Sequence, residues 1–203
     1  MSVLQRSLLL LCIMVLIAIG LGTWRQQSQP MHTMPLLSAT EIPSVKLPSF
    51  TLESTKGVEI TPEKLKGGWS FMYFGYTSCP DICPATLAKL KVAAESLPEN
   101  DNTRFIFVSA DPMRDNLENL DAYVSAFSDR IEGGLGTHEQ VATLAKALYV
   151  FLSNSQDPNQ EKIDHSDTLL LINPRGELTA IYNAPASADV ILSDFQHIKE
   201  RSS

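Results

Sequence analysis

Cysteine is scarce in this chain: Cys12, Cys79 and Cys83 are the only three among 203 residues. So small and odd a count excludes a fold stapled by disulfides. An excess of basic charge is also missing. Lysine and arginine number 16 against 23 acids, for a net charge of −7. Residues 1–30 hold Arg6 and Arg25 and no acid, so the acidity lies wholly in the remainder. Nucleic-acid binders carry basic surfaces, which excludes that class; an acidic domain suits cationic partners and metal ions. No internal repeat is present. With 44% hydrophobic and 19% charged residues, the chain is not of the disordered type. Its length fits one cored domain with an appendage.

Charge is missing altogether from Ser7 to Trp24. A helix over these residues rises about 27 Å, enough to cross a bilayer core. The run is longer than the apolar part of a signal peptide. Residues 1–25 are therefore expected to form an uncleaved membrane anchor, with Trp24 at the interface and Cys12 an apolar residue within it. Arg6 holds the amino end in the cytoplasm. The expected location is a bacterial inner membrane, with the domain in the periplasm. Residues 26–48, with Pro30, Pro35, Pro43 and Pro48, read as a linker. It contains the soft cluster Met31-His32-Thr33-Met34, read as part of the tether. The domain is expected over 49–203.

What the chain does have is concentrated between Tyr73 and Pro84. The apolar run Phe71 to Phe74 ends at Gly75, and Cys79 and Cys83 follow, each before a proline. A residue before proline is pushed away from the α region, and proline fits the first helical position. Pro84 is thus expected to open a helix with Cys83 as its N-cap, and Leu87, Leu90, Ala94 and Leu97 as its apolar face. The positive end of a helix stabilises thiolate. Helical i,i+4 Cβ atoms lie about 5–6 Å apart, and a disulfide prefers about 3.8 Å. With two prolines breaking the helix, the pair can exist as a disulfide or as an open two-sulfur chelate. A structural disulfide or two buried thiols is the alternative.

Elsewhere the pattern alternates. Phe50-Thr51-Leu52 and Val58-Glu59-Ile60 flank a turn at Lys56-Gly57, an expected hairpin, and Thr61 caps a short helix. Residues 69–76 and 104–109 read as buried strands. Leu117, Leu120, Val124 and Phe127 mark a second helix, Ile131 a short strand, and Thr137 caps a third helix. Tyr149 to Leu152 reads as a strand, as do Thr168 to Ile172 and Leu178 to Tyr182 around Asn173-Pro174-Arg175-Gly176; Ser187 opens the last helix. This order describes an α/β, thioredoxin-like fold, with the cysteines at the carboxyl end of a central strand, where open sheets place their sites.

Of four histidines, His32 lies in the linker, and His138 and His197 lie on helices. His165 stands at the entrance to a buried strand, beside Asp164 and Asp167. In this fold the entrance is close to the cysteine loop. Two thiolates and one imidazole make a soft site suited to Cu(I). Asp164, Asp167 and Asp81 are candidates to hold the second ring nitrogen. Zinc is the other metal to weigh, because the three ligands leave a fourth position open. A thiol-disulfide oxidoreductase uses Cys79 as nucleophile and Cys83 as resolving thiol. A peroxide-reducing enzyme needs an arginine near Cys79, and none stands nearby in sequence.

Three segments resemble one family: Gly75-Tyr76-Thr77-Ser78-Cys79-Pro80-Asp81-Ile82-Cys83-Pro84, Ser109-Ala110-Asp111-Pro112-Met113-Arg114-Asp115, and Asp164-His165-Ser166. They look like the Sco/SenC family of membrane-anchored, thioredoxin-fold copper proteins of cytochrome c oxidase assembly. The resemblance covers about residues 45–200. It implies that Cys79, Cys83 and His165 are copper ligands. It also implies copper delivery to the oxidase's binuclear copper site, reduction of that site's cysteines, or both. The chain departs from the family pattern at Asn116-Leu117, Lys162-Ile163 and Asn173-Pro174, none of them a ligand position.

Overall fold

A run of six buried residues, Ser70 to Gly75, forms the strand around which the domain is layered. In this computed structural model the described residues are 14–17, 35–153, 163–183 and 187–202. Most of the expected anchor, the Met31–Met34 cluster and residues 154–162 lie outside them. Residues 14–17 are helical, and among the described residues no helix is long and apolar enough to cross a membrane. Residues 1–35 and 36–203 form separate units.

Among the described residues the second unit holds seven strands: β1 (Ala39–Lys46), β2 (Glu53–Ser54), β3 (Ser70–Gly75), β4 (Arg104–Ser109), β5 (Ile131–Leu135), β6 (Thr168–Ile172) and β7 (Glu177–Asn183). Four α-helices join them: α1 (Ile82–Ser96), α2 (Leu117–Ser125), α3 (His138–Ala147) and α4 (Ala188–Arg201). The sheet order is β1-β7-β6-β3-β4-β5-β2. β3, β4 and β5 are parallel, and β6 runs antiparallel to β3 on its other side. That places β3 in the middle, covered on both faces.

Strand alternation divides the core. Phe71 and Tyr73 face α1, α2 and α4, packing with Leu87, Leu90, Leu120, Phe195 and Ile198. Met72 and Phe74 face the other way, with Val141, Leu144 and Leu148 around α3. Burying each such side chain contributes about 1.5–3 kcal/mol. Both cysteines lie in the first layer.

The expected linker is corrected at its carboxyl end. Residues 39–46 are an edge strand, paired with β7 through a register shift between Glu41 and Val45. An irregular edge tolerates Pro43, because the missing amide costs no central ladder bond. The strand is anchored by Asp194 of α4. This fully buried carboxylate accepts the amides of Leu37, Ser38 and Ala39 at 2.7–2.8 Å.

The hairpin after Phe50 shrinks to one bridge, Leu52 to Ile60, because Glu53 and Ser54 pair with β5 instead. The short helix is a 3-10 turn, Glu63–Leu65, whose N-cap is Pro62 rather than Thr61, although the Thr61 hydroxyl accepts from Lys64 N at 3.3 Å. Tyr149 to Leu152 is not a strand; only Leu152 bridges, to His165. Thr137 and Gln140 form a reciprocal capping box on α3, worth about 1 kcal/mol for the cap alone. In the turn after β6, Gly176 takes φ 74° and donates to Asn173 O.

Candidate metal centre

Helix α1 begins at Ile82, not Pro84, and its N-cap is Asp81 rather than Cys83. Cys83 is therefore helical despite the proline after it. The first amide to bond back along the helix is that of Ala85, to Asp81 O. Pro84 thus sits where its missing N–H breaks no helical bond. Asp81 provides no side-chain cap. The amides of Asp81 and Cys83 turn instead to the sulfur of Cys79.

This makes the cysteines unequal. Burial is the largest influence on both thiols and pushes both up. At Cys79 it is outweighed by hydrogen bonds from the Cys83 thiol, the two amides and Tyr76, which together hold its pKa below the ordinary thiol value. At Cys83, fully buried, the same S–H bond retains the proton, and its pKa lies well above that value. Both are free thiols.

His165 is delivered by the short segment before β6. That segment is tied to 151–153 by Ser153 N to Asp164 O at 2.8 Å and Ser166 N to Phe151 O at 3.0 Å. The ring's Nδ1 lies 3.2 Å from Ser166 O, and its Nε2 lies 3.3 Å from Cys83 Sγ. A carbonyl only accepts, so Nδ1 carries the proton and Nε2 presents its lone pair to the sulfurs. The ring's partner is thus a backbone carbonyl, not Asp164, Asp167 or Asp81. A carbonyl bonded within the same segment fixes the ring more locally than a side chain. Burial, the largest influence, lowers the His165 pKa against the pull of Ser166 O, Asp167 and Asp164. Tyr73 and Tyr76 meet the ring edge-on, with centroids 6.0 and 5.9 Å away.

The donor atoms of Cys79, Cys83 and His165 all lie within 4.8 Å of one another. Among the described residues they are the one group of three or more His, Cys, Asp or Glu donors so placed. Such a set fits a soft ion. His138 and His197 do not belong to this group.

Several supporting residues take roles that the sequence reading did not give them. Asp115, buried, accepts from Ser109 Oγ and Thr77 Oγ1, both at 2.6 Å, and from Thr77 N at 3.3 Å. It thereby braces the loop two residues before Cys79. Asp111 pairs with Arg114. Asp167 accepts from Tyr73 OH and Thr86 Oγ1. The carboxylates of the Asp111–Asp115 motif were a visible signal; their target was not.

A parallel-centred sheet with a dithiol at a helix start and an imidazole just before the neighbouring strand defines a thioredoxin-like protein with a soft-metal donor set. The family model described as SCO1/SenC matches residues 39–200, and the chain belongs to that family. It is 39% identical over 133 residues to "Protein SCO2, mitochondrial" of Saccharomyces cerevisiae, a match covering 63% of this chain and 44% of that protein. It is 32% identical over 146 residues to a "Putative copper-binding protein" of Stutzerimonas stutzeri, covering 70% and 72%. The crystal structure of Arabidopsis thaliana ScoI with copper bound superposes with a TM-score of 0.68 at 28% identity, covering 76% of this chain and 98% of that one. The chain thus spans less than half the length of the yeast relative.

Proposed function

We propose that this protein binds copper through Cys79, Cys83 and His165 and delivers it to the binuclear copper site of cytochrome c oxidase during assembly. The observation that carries the reading is the convergence of two sulfurs and an unprotonated Nε2 within 4.8 Å. The copper-bound state of the Arabidopsis relative supports it. The proposal includes a membrane anchor over residues 1–25, a tether, and a domain facing the periplasm of a bacterium. The client is the oxidase's copper-site subunit or another copper or thiol protein.

The test is an anaerobic Cu(I) titration of the reduced full chain against a competing chelator, beside His165→Ala. One copper per chain is expected, with affinity weakened more than about tenfold in the variant, since even outer partners of a ligand are worth that much. No uptake, or uptake indifferent to His165, sinks the proposal.

The inequality of the thiols favours a second reading, thiol-disulfide exchange with the same client. The Cys79 thiolate attacks a client disulfide and releases one client thiolate. Cys83 then displaces the other, leaving a Cys79–Cys83 disulfide and a reduced client. A mixed disulfide trapped on Cys83→Ser supports this route; its absence with a disulfide-bonded client rejects it.

A further inference from the structure

We propose that the Asp167 carboxylate biases the Cys79, Cys83 and His165 centre toward a divalent over a monovalent metal ion. The inference rests on the copper reading above. Asp167 is half-buried at the entrance to β6, two residues after His165. Its Oδ1 accepts from Tyr73 OH at 3.2 Å and from Thr86 Oγ1 at 3.1 Å. Tyr73 comes from β3 and Thr86 from α1, the two elements that flank the cysteine loop. Both donors are buried. The carboxylate is therefore held from three parts of the fold.

Tyr73 links this group to the centre. Its ring stands edge-on to His165, with centroids 6.0 Å apart. Asp167 itself is not among the converging donors. It is a nearby fixed negative charge that does not ligate.

The consequence follows from charge counting. Two thiolates and a neutral imidazole bring two negative charges to the ion. With Cu(I) the centre keeps a net negative charge; with Cu(II) it is neutral. A neighbouring carboxylate repels the first and not the second. In a half-buried site the effective dielectric lies far below that of water, and salt screens little. One charge–charge interaction across a side chain is then worth about a tenfold change in the ratio of the two affinities. Asp167 is a positioning and charge-setting residue, not a ligand.

A purely structural role makes a different prediction, and Asp167→Asn separates the two. Asparagine keeps the shape and the Oδ1 acceptor and removes the charge. The experiment titrates Cu(I) and Cu(II) separately into the reduced full chain against competing chelators, under anaerobic conditions. In Asp167→Asn, Cu(II) affinity is expected to fall about tenfold more than Cu(I) affinity. For a one-electron couple this raises the midpoint potential by about 59 mV. Asp167→Glu, which restores the charge, should return the ratio toward that of the parent. Equal changes in both affinities, no change in either, or a Glu variant that behaves like Asn overturns the inference while leaving the copper reading intact. A parent chain that takes up neither ion overturns both.

Discussion

Gly75 ends β3 where the strand meets the cysteine loop, and replacing it with alanine should damage stability and metal binding together. The added Cβ would lie 2.7 Å from Phe107 Cε2 and 2.8 Å from Cys83 Sγ. Ordinary carbon contacts are about 3.5–4.0 Å, so a ring or a sulfur must move by roughly 1 Å. Gly75 is not among the glycines of positive φ, so the cost is steric rather than conformational. Phe107 and Cys83 are both fully buried and have no open side to retreat into. Overpacking of this kind costs about 1–3 kcal/mol. With a urea slope of about 1–3 kcal/mol/M, the unfolding midpoint should drop by about 1 M at unchanged slope. Displacing Cys83 also opens the donor triangle, so Cu(I) affinity should fall in the same variant. Phe107→Leu added to Gly75→Ala should recover part of the stability, by making room on the ring side. A Gly75→Ala protein with the parent's midpoint and copper affinity would refute the claim that this glycine seats the sulfur.

Two further outcomes follow from buried groups. Asp194→Ala strands the amides of Leu37, Ser38 and Ala39; it should cost about 3 kcal/mol, with hydrogen exchange accelerating over 37–41 before β3. Uniform protection at the parent level would show that β1 does not need the carboxylate. Because burial lowers the His165 pKa from 6.5, the unfolded chain takes up that proton first, so this contribution to apo stability is full above 6.5 and is lost as pH falls through the lower folded value. Urea midpoints measured from pH 7.5 downward should show this loss in the parent and a flatter profile in His165→Gln; parallel profiles would remove His165 as the cause.

The sequence was most legible where one local rule decided the outcome. Continuous apolar runs identified β3, β4 and β6, and the caps at Thr137 and Ser187 located α3 and α4. It was less legible where distant partners competed. β1 alternates poorly and contains Pro43, and its stability comes from β7 and from a carboxylate more than 150 residues away. The start of α1 was misplaced because the rule for a residue before proline is a bias, and the sulfur of Cys79 receives the amides that a side-chain cap would have received. The three donors were legible as residue types, in an order that resembles a family. Their convergence was legible only through the expected fold, which puts the entrance to β6 near the cysteine loop, since no spacing in sequence brings residue 165 against residue 83. The Ser166 carbonyl was not legible, because every residue has one and only the local fold aims it.

The two chemistries proposed for the centre need not compete for different residues, because one arrangement prepares both. Amides at the start of α1 favour charge on Cys79, while depth and the shared S–H bond retain the proton on Cys83. Without a metal, only one sulfur is ready to attack. A cation held between both sulfurs would supply the positive charge that burial denies Cys83 and so favour loss of its proton. Nε2 of His165 already faces that sulfur with its lone pair, so binding needs no change of tautomer. On the copper reading the imidazole would add a third ligand that disulfide exchange does not require. A disulfide between Cys79 and Cys83 removes both sulfur donors at once, so the redox state of the pair decides whether His165 has a metal to share.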